Sequence, residues 1–264
     1  MTPRLIVLGS SNAVPDAYHE NTHMLIQAGQ RSILVDCSGS PVARFERAGL
    51  DPLAVTDIII THFHPDHAGG LPVLLMDLWL MGRKAPLTVH GLPYTLQRVI
   101  AMMELYAWKT WPGFYPIEFA EFEQMENATV LDDPAIFISA SPVEHFLPNA
   151  GLRMEFRESN QVLAYSCDTE PCESIDRLIQ GVDVLIHEAT GAIEGHCSAG
   201  QAGDAAMRAG VGSLVLIHYK TGRFANGDLV AQAKETYRGN VTLAEDFMAL
   251  DFTPEGMQVS SVKK

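Results

Sequence analysis

Residues 61–71 place four metal-ligating side chains close together. His62, His64, Asp66 and His67 form the pattern His-x-His-x-Asp-His within six residues. Imidazole nitrogens and carboxylate oxygens are ligands for zinc, iron or manganese. Because a tight turn can direct its side chains in several directions, His62 and His64 could bind one ion while Asp66 and His67 bind a second. Two ions about 3.5–4 Å apart can ionise a shared water molecule. They can also stabilise the attacking and the leaving oxygen of a displacement reaction. The alternative is a surface turn that is rich in histidine by chance.

The flanking segments indicate how this turn is positioned. The run 57–60, Asp-Ile-Ile-Ile, predicts a short buried strand, and the apolar stretch 69–81 predicts a helix. The turn would therefore lie at the C-terminal end of a strand, where open α/β sheets place their ligands.

Three later side chains follow strand-like runs and are candidates for further ligands. His145 follows the apolar run 135–140, Asp168 follows 162–166 and His218 follows 214–217. Each residue alone could be a structural polar group at a strand end. Their order after the turn motif makes coincidence a poor explanation.

The complete pattern resembles the metallo-β-lactamase superfamily over nearly the whole chain. The resemblance implies two ligand groups with a bridging carboxylate: His62, His64 and His145 for the first ion, Asp66, His67 and His218 for the second, and Asp168 between them. It also implies an α/β (α+β) fold, a four-layer αββα sandwich, in a single domain over residues 1–264. The implied cofactor is two divalent ions, with zinc expected and manganese or iron as alternatives.

Within that superfamily, four segments resemble ribonuclease Z. They are the Gly-rich loop that begins at 8–11 and continues to Asn21, the Ser-Cys-Asp-Thr segment 166–169 with 171–173, the His-Glu-Ala-Thr motif 187–190, and the Gly-His-Cys-Ser segment 195–198. The resemblance implies a metal-dependent phosphodiesterase. It further implies that Asp66 is a ligand and proton shuttle, that His196 contacts the scissile phosphate or aids proton transfer, and that Glu188 orients His196. His187 is expected to orient a metal ligand.

Two features favour a small phosphodiester over tRNA as the substrate. Only 22 residues separate His145 from Asp168, and they predict a plain hairpin from 151–156 and 162–166 instead of a long tRNA-binding arm. The formal net charge is −14, with basic pairs only at 83–84 and 263–264. Nucleic-acid binding usually requires a basic patch. A tRNA 3′-end endonuclease stays an alternative.

Other chemistries would use the same seven ligands. A hydrolase of a carboxylic ester, lactone or thioester is one alternative, and a non-catalytic metal-binding module is another. The His-Glu-Ala-Thr motif and His196 favour phosphorus chemistry. A complete ligand set argues against a module without activity.

The remaining composition predicts a soluble cytoplasmic enzyme. The chain has 264 residues with 47% hydrophobic content, which is enough for a large core. No run approaches the roughly 20 apolar residues of a membrane span. The aromatic segment 102–115 could pack on the chain's own core, form a homodimer surface or line the substrate pocket. Because similar enzymes are often dimers, a homodimer is expected.

The predicted order of elements supports the sandwich. Strands are predicted near 4–9, 22–28, 31–36, 57–60 and 86–90, and helices near 40–48, 69–81 and 93–106. Strands dominate 128–166, followed by helix 172–180, strand 182–187, helix 199–209, strand 213–217, helix 227–238 and a final pair of strands within 241–252.

Overall fold

The computed structural model describes residues 2–225 and 227–262. Its first half contains, in chain order, β1 (Arg4–Gly9), β2 (His23–Ala28), β3 (Arg31–Val35), α1 (Pro41–Ala48), β4 (Asp57–Ile60), α2 (Pro65–Ala68), α3 (Leu71–Leu80), β5 (Leu87–Gly91), α4 (Pro93–Leu105) and β6 (Ile117–Glu121). Its second half contains β7 (Ala128–Asp132), β8 (Ile136–Val143), β9 (Asn149–Phe156), β10 (Gln161–Tyr165), α5 (Glu173–Leu178), β11 (Val184–Glu188), α6 (Ala199–Ala209), β12 (Ser213–Ile217), α7 (Leu229–Lys234), β13 (Asn240–Leu243), β14 (Met248–Thr253) and β15 (Gly256–Ser261).

Two mixed sheets are formed by the described strands. The first has the order β15-β14-β1-β2-β3-β4-β5-β6, and the second has the order β13-β12-β11-β10-β9-β8-β7. Strands β3 to β6 pair in parallel, as do β10 to β13. The C-terminal ends of β3 and β4 therefore lie at one edge of their sheet, as do those of β10, β11 and β12 in theirs.

Among the described residues, three apolar cores separate four layers, which confirms the αββα sandwich. One core lies between the sheets, one packs the first sheet against α1, α3 and α4, and one packs the second sheet against α5, α6 and α7. Strand β4 shows why the sequence requires this arrangement. Ile59 faces the core between the sheets, whereas Ile58 and Ile60 face the helices. A strand that is covered on both faces has a continuous apolar run.

Most predicted elements are present, and the exceptions involve the edges of the sheets. Strands β6 and β15 were not predicted, because both lie at sheet edges and have few buried residues. The two strands predicted within 241–252 are present as β13 and β14, but they belong to different sheets. The turn between them crosses from the second sheet to the first. The Ala244 N–H donates to the Leu216 carbonyl in β12, and the Phe247 N–H donates to the Val7 carbonyl in β1.

The hairpin predicted between His145 and Asp168 is confirmed. Strands β9 and β10 pair in antiparallel register from Phe156 opposite Gln161 to Leu152 opposite Tyr165. The predicted helix 69–81 is confirmed as α3, and the single turn α2 precedes it. None of the helices in the described part of the chain has the length and apolar character that crossing a bilayer would require.

The aromatic segment 102–115 packs mainly on its own chain. Tyr115 is buried, and Trp108, Trp111 and Phe114 pack against the helix-side core of the first sheet. The Trp111 ring stacks on Trp79 with 5.3 Å between the ring centroids. This supports the first of the three interpretations of the segment, while the homodimer stays a prediction.

Candidate metal centre

The loop after β4 carries the first four candidate ligands. His62 and His64 lie between the end of β4 and the start of α2, and Asp66 and His67 lie in the single turn of α2. Pro65 occupies the first turn of α2, where its missing N–H has no cost. The His67 N–H donates to the His64 carbonyl at 3.1 Å, which holds the turn closed.

Tertiary packing brings the first predicted ligand group together. The His62 Nε2 and His64 Nδ1 atoms are 2.9 Å apart, and the His145 Nε2 atom is 3.1 Å from His64 Nδ1. One nitrogen of each ring thus points towards a common point, although His145 lies far along the chain in the other half of the sandwich.

The second predicted group forms beside the first. The Nε2 atoms of His67 and His218 are 3.3 Å apart, and Asp66 Oδ2 lies 3.5 Å from each of them. Asp168 Oδ2 is 3.4 Å from His67 Nε2 and 3.9 Å from His62 Nε2. Asp168 therefore lies between the two groups, as the resemblance implies for a bridging carboxylate.

The donor atoms suit divalent ions. Zinc held at 2.0–2.1 Å in tetrahedral geometry requires ligand nitrogens roughly 3.3 Å apart, which is close to the 2.9 and 3.1 Å separations in the first group. The Oδ1 atom of Asp168 is buried and has no hydrogen-bond partner among the described residues. A buried carboxylate oxygen without a partner is costly unless a cation compensates it. The residues present therefore fit a metal centre.

Three residues with positive φ turn the chain towards this centre. Asp36, Cys167 and His218 have φ of 61°, 53° and 51° and follow β3, β10 and β12. Such backbone conformations cost non-glycine residues of order 1–3 kcal/mol and are often found at functional sites. Here they form sharp bends where the strands end, and these bends direct polar side chains inward.

Hydrogen bonds hold the outer nitrogens of the candidate ligands. Asp36 Oδ2 accepts from His67 Nδ1 at 2.8 Å, and the Gly195 carbonyl accepts from His145 Nδ1 at 2.7 Å. Thr190 Oγ1 lies 2.9 Å from His218 Nδ1. Such partners fix the orientation of metal-binding imidazoles. Sequence reasoning missed Asp36; its place directly after a buried strand, as for the predicted ligands, was the signal available.

His187 does not have the orienting role expected from the sequence. Its Nδ1 lies 2.8 Å from the carbonyl oxygen of Glu188, the next residue along the chain. Successive side chains of a strand point to opposite faces, so Glu188 reaches the centre whereas His187 faces the helices. Within the same motif, Thr190 takes the orienting role instead.

The buried Glu188 and the partly buried His196 form a pair beside the ligand groups. Glu188 Oε1 accepts from His196 Nδ1 at 2.9 Å and from the Cys197 N–H at 2.9 Å, and its Oε2 accepts from the Thr190 N–H. The His196 ring lies 5.1 Å from the ring of His145. Ser198 begins α6 with a capping box, which fixes the loop that carries His196.

The pKa shifts that burial and neighbouring charges cause in the cluster favour metal binding, except the shift of His67. Burial and the neighbouring His67 hold the pKa of His62 well below its usual value, so its nitrogen is free to bind. Burial alone would raise the pKa of Asp66, but His218 and His67 lower it to about 2. Burial opposes protonation of His67, yet Asp168 and Asp36 raise its pKa well above the ordinary value, so an ion would compete with that proton.

Burial alone would lower the pKa of His196, but the hydrogen bond and charge of Glu188 raise it.

A cleft of about 230 Å³ opens onto the side of the cluster where His196 lies. It is lined by Asn12, Ala13, His64, Pro65, Asp66, Asp168, Thr190, His196 and His218. Four of the candidate ligands and His196 therefore face space in which a small substrate group can bind.

Comparison with known proteins agrees with this architecture. The family described as "Beta-lactamase superfamily domain" matches residues 31–219, well over half of the chain. The chain belongs to the beta-lactamase superfamily. Ribonuclease Z of Methanothermobacter thermautotrophicus is 25% identical to this superfamily member, with 92% of this chain and 95% of that protein covered.

Two solved structures are similar to this superfamily member in fold. The metallo-beta-lactamase fold protein YhfI of Bacillus subtilis has a TM-score of 0.78 at 22% identity and covers 94% of this chain and 99% of its own. The short form of human tRNase Z has a TM-score of 0.76 at 23% identity, with the same coverage. Together, the ribonuclease Z relatives and the clusters of His and Asp support a metal-dependent phosphodiesterase that uses divalent ions.

Proposed function

We propose that this superfamily member is a dinuclear metal-dependent phosphodiesterase of the ribonuclease Z-like type. The observation that carries the proposal is the position of the Glu188–His196 pair directly beside the seven clustered ligand candidates. The ligand candidates alone would serve several hydrolases, whereas a partly buried imidazole held by a carboxylate adds a group suited to a phosphate.

The proposed metal sites follow the two clusters. His62, His64 and His145 would hold one ion, and a second group would hold the other: Asp66, His67 and His218, with Asp168 shared between both. Zinc is the proposed metal, with manganese or iron as alternatives, because all three accept these ligands. When bound, the ions would supply Lewis acidity and a water of lowered pKa.

His196 would act on the phosphate that enters the cleft. Since its Nδ1 is bonded to Glu188, its Nε2 is the nitrogen free to contact substrate. A protonated Nε2 can donate to a phosphate oxygen as negative charge develops, or give its proton to the leaving oxygen. Glu188 would orient this ring and favour its protonated form. Asp66, which lines the same cleft, would serve as both a ligand and a proton shuttle.

A small phosphodiester is the proposed substrate, and the 3′ end of tRNA is the second candidate because relatives are named ribonuclease Z. The charge of −14 supports the small substrate. The short hairpin β9–β10 also supports it, because it offers no extended arm. A homodimer and a cytoplasmic location stay predictions.

A substrate panel tests the proposal. Purified protein, with its metal content measured, would be assayed on bis-p-nitrophenyl phosphate, cyclic nucleotides, a tRNA precursor, an acyl lactone and a thioester. We expect metal-dependent cleavage of phosphodiesters and no turnover of the carbon esters. An Asp168→Asn variant prepared in parallel controls for contaminating enzymes and should lose the activity. Cleavage of the lactone or thioester alone would refute the phosphodiesterase proposal.

A further inference from the structure

A second cleft adjoins the metal centre on the side of His218. It has a volume of about 390 Å³, and its lining includes Asn12, Lys220, Arg223 and Phe224. Asn12 also lines the cleft that opens onto the candidate ligands. The two clefts therefore share Asn12 as a lining residue, which makes them neighbours.

The segment that carries Lys220 is held rigidly between the two clefts. The Asn12 N–H donates to the Tyr219 carbonyl at 3.0 Å, and the Tyr219 hydroxyl donates to the Ala244 carbonyl at 2.7 Å. A Cβ placed on Gly191 would lie 3.8 Å from Lys220 Nζ. The ammonium group thus reaches the loop that follows β11 and leads to His196.

The second cleft concentrates positive charge in an acidic protein. In the part of the chain that the structure describes, neither Lys220 nor Arg223 forms an ion pair, although the net charge is −14. The Arg223 guanidinium lies 4.8 Å from the centre of the Phe224 ring, and Phe224 is 46% exposed. Two unpaired cations beside an exposed aromatic ring can bind an anion and stack on a flat ring attached to it.

The flank of the metal centre beside His145 carries negative charge. A cleft beside His145 is lined in part by Glu144, Glu170 and Glu194. Glu170 Oε1 accepts from the Gly195 N–H at 2.7 Å, so this carboxylate is fixed in the flank. The centre therefore has one flank that attracts anions and one that repels them, which is poorly suited to a chain with phosphates on both sides.

We propose that Lys220 and Arg223 bind a second phosphate group of the substrate, with Phe224 against the adjoining base. This inference rests on the proposed phosphodiesterase function and specifies its substrate class: a nucleotide-sized diester that carries an additional phosphate on one side of the scissile phosphate. The portion on the other side, towards the three glutamates, carries no negative charge.

Two chromogenic substrates that differ by one phosphate test this subsite. They are thymidine 5′-(p-nitrophenyl phosphate) and the same compound with a 3′-phosphate. Release of p-nitrophenolate by metal-loaded enzyme gives kcat/KM for each. We expect the 3′-phosphate to raise kcat/KM by at least about tenfold, because hydrogen bonds between charged groups typically contribute that much.

Paired variants show whether the preference is local. A Lys220→Gln/Arg223→Gln double variant should reduce the ratio between the two substrates to near one. A Lys234→Gln/Arg238→Gln double variant makes the same change in net charge at exposed positions in and after α7 and should keep the wild-type ratio. Circular dichroism and thermal melting would verify that both variants fold.

The outcomes separate the subsite from the function on which it rests. If wild-type enzyme cleaves both substrates with equal kcat/KM, or the Lys220/Arg223 variant keeps the preference, the subsite is refuted while the phosphodiesterase function stands. Equal loss of preference in the control variant would assign the effect to overall charge and also refute the subsite. If metal-loaded enzyme cleaves neither these substrates nor bis-p-nitrophenyl phosphate, the proposed function itself fails.

Discussion

Replacing Asp36 by Asn should weaken metal binding without removing any proposed ligand. Asp36 is fully buried; its Oδ2 accepts from His67 Nδ1 at 2.8 Å, and its Oδ1 accepts from the Thr61 N–H at 2.9 Å. Asn has nearly the same size and tolerates a positive φ, so the bend after β3 should persist. Its amide has only one acceptor oxygen, so either His67 or Thr61 loses its acceptor.

The expected loss follows from the role of Asp36 beside a ligand. Partners that hydrogen-bond a metal-binding histidine typically contribute 10–100-fold in affinity, or about 1.4–2.8 kcal/mol. The contact here is short, buried and made by a full carboxylate, which supports a loss within that range. Two further contacts of Asp36, with Thr61 Oγ1 at 2.9 and 3.0 Å, give the variant an additional cost in stability.

Competition with a coloured zinc chelator of known affinity measures this effect. The matched control is Asp57→Asn. Asp57 is also buried, and its carboxylate lies 3.0 Å from a histidine nitrogen, His90 Nε2. Asp57 differs from Asp36 because it lies at the start of β4, whereas the first four proposed ligands follow the end of that strand. We expect Asp36→Asn to lose about 10–100-fold in zinc affinity. We expect Asp57→Asn to lower the melting temperature while its zinc affinity stays within about twofold of wild type.

Two results would refute this reasoning. Wild-type zinc affinity in Asp36→Asn would mean that the Asp36–His67 bond does not orient a ligand. An equal loss of affinity in both variants would mean that general destabilisation, and not the local contact, weakens metal binding.

Three further predictions concern catalysis, metal removal and pH. His196→Ala and Asp66→Ala should each reduce kcat on a confirmed phosphodiester by at least about 10²-fold; rates near wild type would contradict their assigned roles. Chelation should lower the melting temperature, because a metal present at 100 times its Kd stabilises the folded state by about 2.7 kcal/mol; a melting temperature that does not respond to zinc would contradict this. Burial alone would raise the pKa of Asp57, but the hydrogen bond from His90 and the charge of Arg31 lower it overall. The stabilisation from Asp57 is therefore present above the unfolded pKa of about 3.9 and is lost as the pH falls through the lower folded value. The difference in melting temperature between wild type and Asp57→Asn should thus shrink below about pH 4, and a constant difference down to about pH 3 would contradict the assignment.

Much of the fold was predictable because its signals are local. The apolar runs that became β3, β4, β10 and β12 and the hairpin β9–β10 are visible in the order of residue types. The edge strands β6 and β15 were not, because a strand with few buried residues has a weak apolar pattern. Strands β13 and β14 look like neighbours in sequence, yet only the packing of the sandwich assigns them to different sheets.

The sequence by itself determined which donor atoms are available to the candidate metal centre. Five imidazoles and two carboxylates in a fixed order specify nitrogen and oxygen donors for divalent ions, because ligand preference depends on atom type and not on the fold. Only the tertiary structure decided which atoms meet: that Asp36 and Thr190 hold His67 and His218, that His187 faces away, and that Lys220 and Arg223 share a cleft beside the centre. The physical reason is that these contacts join the ends of strands in two different sheets. Their distances are set by how the sheets pack, which no local pattern of residues encodes.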